Sequence, residues 1–450
     1  MTKTPRPTLA RSVEMFGALA VTAGFAQVVY FFFTRGYLPP PFVFDTADTF
    51  MDWFHTAYWA HNEGAYTVWR TIYLPLSFVV TRLFSNPWCY DNNAFNGREC
   101  DSYSIFVLVV GFLAAIIVSA IAFRRNDRST WFPRSIAVAL GGPLLFTLER
   151  GNVILFAYIA FVLLYGGLIR TRAGTALAAG FLVNMKVYLL LPLAAYAIKR
   201  DWRTFELAGL AALAIYLVSL TLVGAGTPFE LIGNLQNWLN SFAISIWDQL
   251  VYSTTYQPYL LFDVLEYPIR DFVDPATVDL AKSIIYYEVQ ASRTIALLCI
   301  VVAWFYPRAV TLQRLVFFIL MQSFMGQNPG GYSITLIVFL IFLEKKRNFA
   351  TMLAVACAYL VSIPSDFTIA VIFDINRLSW LSGQMVQVDY SLTIGTLIRP
   401  LVFAIMLWIM AIDTLIAVHR AVRAGPPTLG LSGRRWGEDA EPRPAAPQPA

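Results

Sequence analysis

SIFVLVVGFLAAIIVSAIAF, residues 104–123, is the stretch that decides the fold, because it holds no charged residue and is followed directly by Arg124 and Arg125. A helix of about 20 apolar residues crosses the hydrocarbon core of a bilayer. Basic residues that flank such a helix mark its cytoplasmic end. The stretch therefore predicts a membrane-spanning helix that ends inside the cell.

The composition extends this interpretation to the whole chain. Of its 450 residues, 58% are hydrophobic and 14% are charged, and the mean hydropathy is +0.59. Soluble domains contain about 45–50% apolar and about 25% charged residues. We therefore predict an all-α polytopic membrane protein whose main partner is the lipid bilayer. Its net charge of +5 comes from short clusters between apolar runs, a pattern that does not indicate a nucleic-acid partner.

The candidate spans and the basic clusters together predict a topology. The spans are residues 13–34, 104–123, 204–223, 293–307, 312–326, 333–344, 349–364 and 394–418. Placing every basic cluster on the cytoplasmic side requires three helical hairpins, one of which is formed by the spans 312–326 and 333–344. These would turn on the outer side at residues 149–152, 184–186 and 326–332. The result is about 12 membrane crossings with both termini in the cytoplasm.

The same topology sets the domain organisation. Residues 1–423 are predicted to form one transmembrane catalytic domain, within which residues 71–85 form a half-buried outer helix. The tail 424–450 is rich in Pro, Ala, Gly and Arg and is predicted to be disordered in the cytoplasm. Three long segments fall outside, namely a first outer loop 35–103, a second outer loop 224–292, and residues 365–393.

The first outer loop carries acidic residues at helical spacing. Asp45, Asp48, Asp52, His55 and Trp59 fall at i, i+3, i+7, i+10 and i+14, which would place them on one stripe of a helix. Like charges this close would raise the pKa of a carboxylate, as a general base requires. The alternative is a solvated acidic face with Asp45 as a helix N-cap.

Two cations lie at predicted outer turns. Ionisable groups near membrane depth usually face a cavity and mark a substrate path. Arg150 and Lys186 could together bind an anionic group, with the planar arginine suited to phosphate oxygens. The alternative pairs Arg150 with Glu149 and lets Lys186 extend to the membrane interface.

Other polar residues of the turns and outer loops are candidates for substrate binding. They are Asp45, His55, Glu149, Asn152, Asn184, Tyr256, Gln257, Gln327 and Tyr332. Cys89 and Cys100 bracket a polar outer loop and are predicted to form a structural disulfide. The three carboxylates of the acidic stripe could hold a divalent cation, but no second carboxylate site supports one, so no metal or other cofactor is expected.

Five short motifs follow the first span in a fixed order. They are Phe50-Met51-Asp52, Gly64-Ala65-Tyr66, Ile72-Tyr73-Leu74-Pro75, Glu149-Arg150-Gly151-Asn152, and Asn184-Met185-Lys186 continued to Pro192. In this order they resemble the GT-C superfamily of polyprenyl-phosphate-sugar glycosyltransferases, and in particular glycosyltransferase family 87, which includes mycobacterial mannosyltransferases. The resemblance covers most of residues 10–420 and is strongest over 45–200. The chain departs from the family at Leu74, where the family usually has proline.

The resemblance implies a GT-C-like bundle and an enzyme that transfers a hexose, with mannose expected, from a polyprenyl-phosphate-linked donor. The acceptor would be a glycolipid or a glycan at the outer face of the bacterial cytoplasmic (inner) membrane, with inversion at the anomeric carbon. The preferred base is Asp52, which fits the Phe-x-Asp pattern, and the alternative is Asp48, which fits by its spacing to Tyr66. Arg150 and Lys186 would bind the donor phosphate. The alternative function is a transporter or flippase of lipid-linked saccharides, with the same aspartates as proton sites.

Overall fold

The computed structural model describes residues 7–42, 46–223, 226–240, 274–326, 330–345 and 348–425. Four of the candidate substrate residues, Asp45, Tyr256, Gln257 and Gln327, lie outside the described residues, as does the predicted tail beyond Gly425. Helices account for most of the described chain. In order they are α1 Pro7–Arg35, α2 Met51–His61, α3 Pro75–Leu83, α4 Ala94–Cys100, α5 Ser102–Asn126, α6 Trp131–Ala139, α7 Gly142–Arg150, α8 Ile154–Tyr165, α9 Arg172–Met185, α10 Ala194–Ile198, α11 Trp202–Val223, α12 Pro228–Asn240, α13 Pro275–Phe305, α14 Leu312–Gly326, α15 Ile334–Phe342, α16 Phe349–Ser362 and α17 Ile394–Ala424.

Six helical segments of the described chain are long and apolar enough to cross a membrane, judged by length and composition. They are Arg11–Arg35, Ser102–Asn126, Trp131–Arg150, Trp202–Val223, Pro275–Phe305 and Ile398–Ala424. Shorter apolar helices lie between them, and every residue of α15 is buried. The prediction of a mostly helical membrane protein is confirmed at this level, whereas the number of about 12 crossings stays a prediction.

The predicted turns and the outer helix are found where the structure describes them. Helix α7 ends at Arg150 and α8 begins at Ile154, and α9 ends at Met185 just before a short 3-10 helix. Within residues 71–85, α3 forms nine residues of helix and buries six of them, including Ser77 and Phe78. These turns bring the polar residues of two hairpins to one end of the bundle.

A β-hairpin corrects the all-α prediction. Strands β1 (Thr368–Ser379) and β2 (Gln384–Thr393) pair in antiparallel register between α16 and α17. Val386 and Val388, two positions apart, share one face of β2 and bury their side chains in a cluster with Tyr37. Strand alternation is therefore present in residues 365–393, a segment that was predicted only to lie outside the membrane.

The continuous acidic helix predicted over residues 45–59 is also corrected. Helix α2 begins only at Met51, and Asp48 lies in the loop before it. Phe50 has a left-handed backbone with φ of 65°, and its N–H donates to the carbonyl of Glu149 at 2.7 Å instead of starting a helical ladder. The hydrogen bond to the α7–α8 hairpin therefore prevents residues 46–50 from forming the helix that the spacing of the acidic residues predicted.

A buried ion pair holds the opposite end of the bundle together. Arg134, predicted as one of the cytoplasmic basic cluster, is 1% exposed and pairs with Glu14 at 2.7 Å. Tyr359 donates a hydrogen bond to the same carboxylate at 2.7 Å. Helices α1, α6 and α16 are joined by these contacts.

Candidate active site

The candidate site forms where the loop 46–50 meets the turn between α7 and α8. Gly151 caps α7 with φ of 62°, and a Cβ there would lie 2.8 Å from the carbonyl oxygen of Phe50. Only glycine permits both this conformation and this approach. Thr49 adds a side-chain hydrogen bond to Glu149 at 3.2 Å. The loop that carries Asp48 is thereby fixed against the turn that carries Arg150.

Arg150 bridges the two candidate catalytic carboxylates. Its guanidinium donates through Nη1 to Asp48 Oδ2 and through Nη2 to Asp52 Oδ1, the latter at 2.6 Å. Asn152 donates to the other oxygen of Asp52, also at 2.6 Å. The alternative prediction paired Arg150 with its neighbour Glu149. The structure instead pairs Arg150 with Asp48 and Asp52. Asp48 is the more exposed of the two carboxylates, with 27% of its side chain exposed against 19% for Asp52.

The pKa values of the two carboxylates are shifted in opposite directions. Burial raises the pKa of Asp48, and the nearby charge of Asp52 adds to this increase although Arg150 opposes it. Burial would also raise the pKa of Asp52, but the charge and hydrogen bond of Arg150, the hydrogen bond of Asn152 and the charge of Lys186 outweigh it and lower the pKa. The increase expected from like charges on one stripe is therefore wrong for Asp52.

Lys186 contributes a cation that has no carboxylate partner among the described residues. Its Nζ lies 4.2 Å from the ring centroid of Tyr73 and 5.3 Å from that of Tyr332, and it forms no ion pair with any residue in the described ranges. Burial lowers its pKa to about 8, although Asp52 acts in the opposite direction. Asn152 donates to Asp52 and lies 3.5 Å from the hydroxyl of Tyr73, so the same side chains connect Lys186 to the carboxylates.

His55 and Glu149 flank the carboxylates. The His55 ring packs beside Trp59 and against the edge of Phe95, with ring centroids 5.9 Å and 5.8 Å apart. Burial lowers the pKa of His55 although Asp48 and Asp52 favour its charged form, so the ring is neutral at neutral pH. Glu149 accepts from Thr49 through one oxygen, while its other oxygen is buried and has no hydrogen-bond partner among the described residues.

Asn184 does not belong to the site, which corrects its assignment as a substrate ligand. Its side-chain amide is 2% exposed and donates to the carbonyls of Gly180 and Ala212 at 2.8 and 2.9 Å. These bonds join α9 to α11. The polar side chain that suggested a substrate ligand at this turn instead donates hydrogen bonds to backbone carbonyls within the helix pair.

The predicted disulfide is present, and it encloses a residue that the sequence analysis missed. Cys89 and Cys100 are bonded, with their Cα atoms 5.5 Å apart. Inside the enclosed segment, Arg98 donates through Nη1 to the carbonyls of Ala47 and Thr49 at 2.6 and 2.9 Å. Nothing in the local pattern around Arg98 indicated this contact.

Arg150 occupies the space between the two carboxylates. No group of three or more His, Cys, Asp or Glu side chains is arranged to hold one within the described ranges. The guanidinium of Arg150 lies between the carboxylates of Asp48 and Asp52, the position that a divalent cation would have to take. A cation there would have to displace Arg150.

The site thus combines a carboxylate pair, a bridging arginine and a lysine that contacts two tyrosine rings. Comparisons with known proteins assign it to no family, because no family model, no curated protein and no solved structure matches the chain.

Proposed function

We propose that this protein is a membrane glycosyltransferase that moves a hexose, with mannose expected, from a polyprenyl-phosphate-linked donor to a glycolipid or glycan acceptor. The observation that carries the proposal is the pairing of two carboxylates with Arg150 beside the ammonium of Lys186, which forms no ion pair within the described ranges. A group that accepts a proton and a group that binds an anion lie in one site. Sugar transfer from a phosphate leaving group needs both.

The geometry favours Asp48 as the base, which reverses the preference of the sequence analysis for Asp52. Both oxygens of Asp52 accept hydrogen bonds, from Arg150 and from Asn152. Asp48 uses only Oδ2 for Arg150, so Oδ1 remains free to accept a proton in the described part of the chain. Its raised pKa also makes it the stronger base.

The reaction follows from these roles. Asp48 takes the proton of the acceptor hydroxyl while that oxygen attacks the anomeric carbon from the side opposite the phosphate. The bond between the anomeric carbon and the phosphate oxygen breaks, and the electron pair leaves with the polyprenyl phosphate. One displacement at this carbon inverts its configuration.

Lys186 is the group that we assign to the donor phosphate. Two tyrosine rings hold its ammonium, and no carboxylate of the described ranges would have to leave it before an anion binds. Arg150 is occupied by Asp48 and Asp52, so its role is to hold them at a fixed separation. The sequence predicted that both cations bind the donor phosphate. In this assignment Lys186 binds the phosphate and Arg150 holds the carboxylates.

The proposed location is the outer face of the bacterial cytoplasmic membrane. Twelve crossings result when α8, α9, residues 187–198, α14, residues 331–342 and α16 are added to the six long segments. In that topology the basic residue Arg125 lies inside and the α7–α8 turn lies outside. The site then meets lipid-linked donors after they have reached the outer leaflet.

The test is a transfer assay with purified protein in lipid nanodiscs. Radiolabelled polyprenyl-phosphate mannose and total lipid of the host are incubated with the protein, and products are separated by chromatography. We expect label in a new glycolipid or glycan, with no transfer by a variant that carries both Asp48→Asn and Asp52→Asn. Movement of labelled donor across vesicles without transfer would contradict the proposal and indicate a flippase.

A further inference from the structure

Arg98 reaches from the disulfide-closed segment into the loop that carries Asp48. The side chain is 5% exposed, and one of its terminal nitrogens donates to two carbonyls, those of Ala47 and Thr49. These are the two residues on either side of Asp48. The loop 46–50 belongs to no helix or strand that would otherwise fix the direction of the Asp48 side chain.

The same guanidinium is itself held from two sides. Helix α4 carries it and ends at Cys100, whose disulfide to Cys89 closes the segment. On the other side, the Arg98 guanidinium lies 4.8 Å from the ring centroid of Trp380, in the turn of the β-hairpin. Helix α4 and the β-hairpin both fix the position of Arg98. Among the described residues, neither element donates a hydrogen bond to Asp48 or Asp52.

The β-hairpin also contacts the loop directly. The backbone N–H of Trp380 donates to the carbonyl of Thr46 at 3.1 Å, and the Thr46 hydroxyl donates to the carbonyl of Leu378 at 2.9 Å. The ring of Phe50 packs edge-on against Trp380, with centroids 5.5 Å apart. Contacts therefore hold residues 46 to 50 at both ends, and Arg98 holds the middle.

We propose that Arg98 is a positioning residue for the base, and that it acts by fixing the two carbonyls that flank Asp48. The proposal rests on the proposed glycosyltransferase function. A displacement of about 1 Å at a reacting group can reduce the rate about 10²-fold. Loss of Arg98 should therefore reduce kcat and leave donor binding at Lys186 nearly unchanged.

The experiment compares Arg98→Ala and Arg98→Lys with Glu99→Gln, in full-length protein in nanodiscs. Glu99 is the exposed neighbour that pairs with Arg98 at 3.2 Å, so its variant removes the ion pair of the same guanidinium without touching the loop. Two quantities are measured, namely amide hydrogen exchange in peptides that cover residues 46–56, and kcat with donor KM in the transfer assay.

We expect Arg98→Ala to speed exchange in the loop peptides, to lower kcat about 10²-fold and to change donor KM by less than about twofold. Arg98→Lys should recover part of kcat, because one ammonium can reach a carbonyl but lacks the planar geometry of the guanidinium. Glu99→Gln should behave as wild type. Unchanged kcat in Arg98→Ala, or faster exchange throughout the protein, would overturn the positioning role. Absence of transfer by the wild type would instead overturn the proposed function, while the exchange data would still decide whether Arg98 holds the loop.

Discussion

Asp48 and Asp52 share Arg150 but differ in how many of their oxygens are bonded. Asp48→Asn should lower kcat by about 10²–10⁴-fold, the usual contribution of a general base. Asp52→Asn should cost less and should shift the acid limb of the pH–rate profile to lower pH. The shift follows because the charge of Asp52 raises the pKa of Asp48, and a base with a lower pKa stays deprotonated in more acidic solution.

Both variants are measured in the transfer assay over a range of pH, with donor binding as the control for folding. A larger loss of kcat in Asp52→Asn than in Asp48→Asn would return the role of the base to Asp52. Wild-type rates in both variants would reduce the pair to a structural ion pair with Arg150.

Lys186 makes a second prediction at the residue scale. Lys186→Met should weaken donor binding by about 10- to 150-fold, because charge-assisted contacts contribute about 1.5–3 kcal/mol. In the wild type, donor KM should rise as the pH passes about 8, where the ammonium loses its proton. The matched control is Lys199→Met, since Lys199 donates to the backbone carbonyls of Pro307 and Val310 away from the site. Equal donor KM in the two variants would contradict the phosphate role.

The sequence could predict only those site residues that stand out from their neighbours. Arg150 and Lys186 interrupt apolar runs, and an ionisable residue in such a place is conspicuous. Arg98 and Trp380 could not be found this way, because their role depends on contacts between distant segments. Arg98 reaches a carbonyl 51 residues away, and Thr46 reaches one 332 residues away.

At the scale of elements, the close approach of the α7–α8 turn to the loop 46–50 can be tested by two glycine substitutions. Gly151 and Gly167 have similar φ values of 62° and 68°, so alanine at either position should cost about 1–2 kcal/mol of backbone strain. A Cβ at Gly151 would meet the backbone of Phe50, whereas at Gly167 it would meet nothing within 4 Å. Gly151→Ala should therefore lose activity as well as stability, and Gly167→Ala stability alone.

Thermal unfolding in detergent and kcat in the transfer assay separate the two effects. Similar kcat in the two variants would mean that the position of Phe50 does not matter for turnover.

The sequence predicted the presence of the long helices more easily than the residues at which the helices begin. Apolar runs revealed the long helices, since burial in lipid depends mainly on local composition. The start of α2 at Met51 depends on the hydrogen bond from Phe50 to Glu149, which no spacing rule within residues 45–59 contains. The β-hairpin is likewise specified by its contact with Tyr37, beyond the end of α1.

For the whole molecule, the proposed topology places Glu63 and Arg125 on opposite sides of the membrane. Both side chains are exposed, the two free cysteines Cys299 and Cys357 are buried, and the other cysteine pair is bonded. Single substitutions Glu63→Cys and Arg125→Cys can therefore be labelled with an impermeant maleimide against a low background. In right-side-out vesicles we expect labelling at position 63 directly and at position 125 only after permeabilisation. The reverse pattern would place the site in the cytoplasm.

The sharing of Arg150 between two carboxylates has a consequence for the order of events in the proposed reaction. When Asp48 takes the proton it becomes neutral, and the attraction between its carboxyl group and Arg150 weakens. At that moment the departing phosphate gains negative charge, because its ester bond to the sugar has been cut. One side of the guanidinium is then released, while Asp52 still holds the other side. The new charge on the phosphate falls to Lys186, so removal of the acceptor proton and departure of the phosphate depend on two different cations.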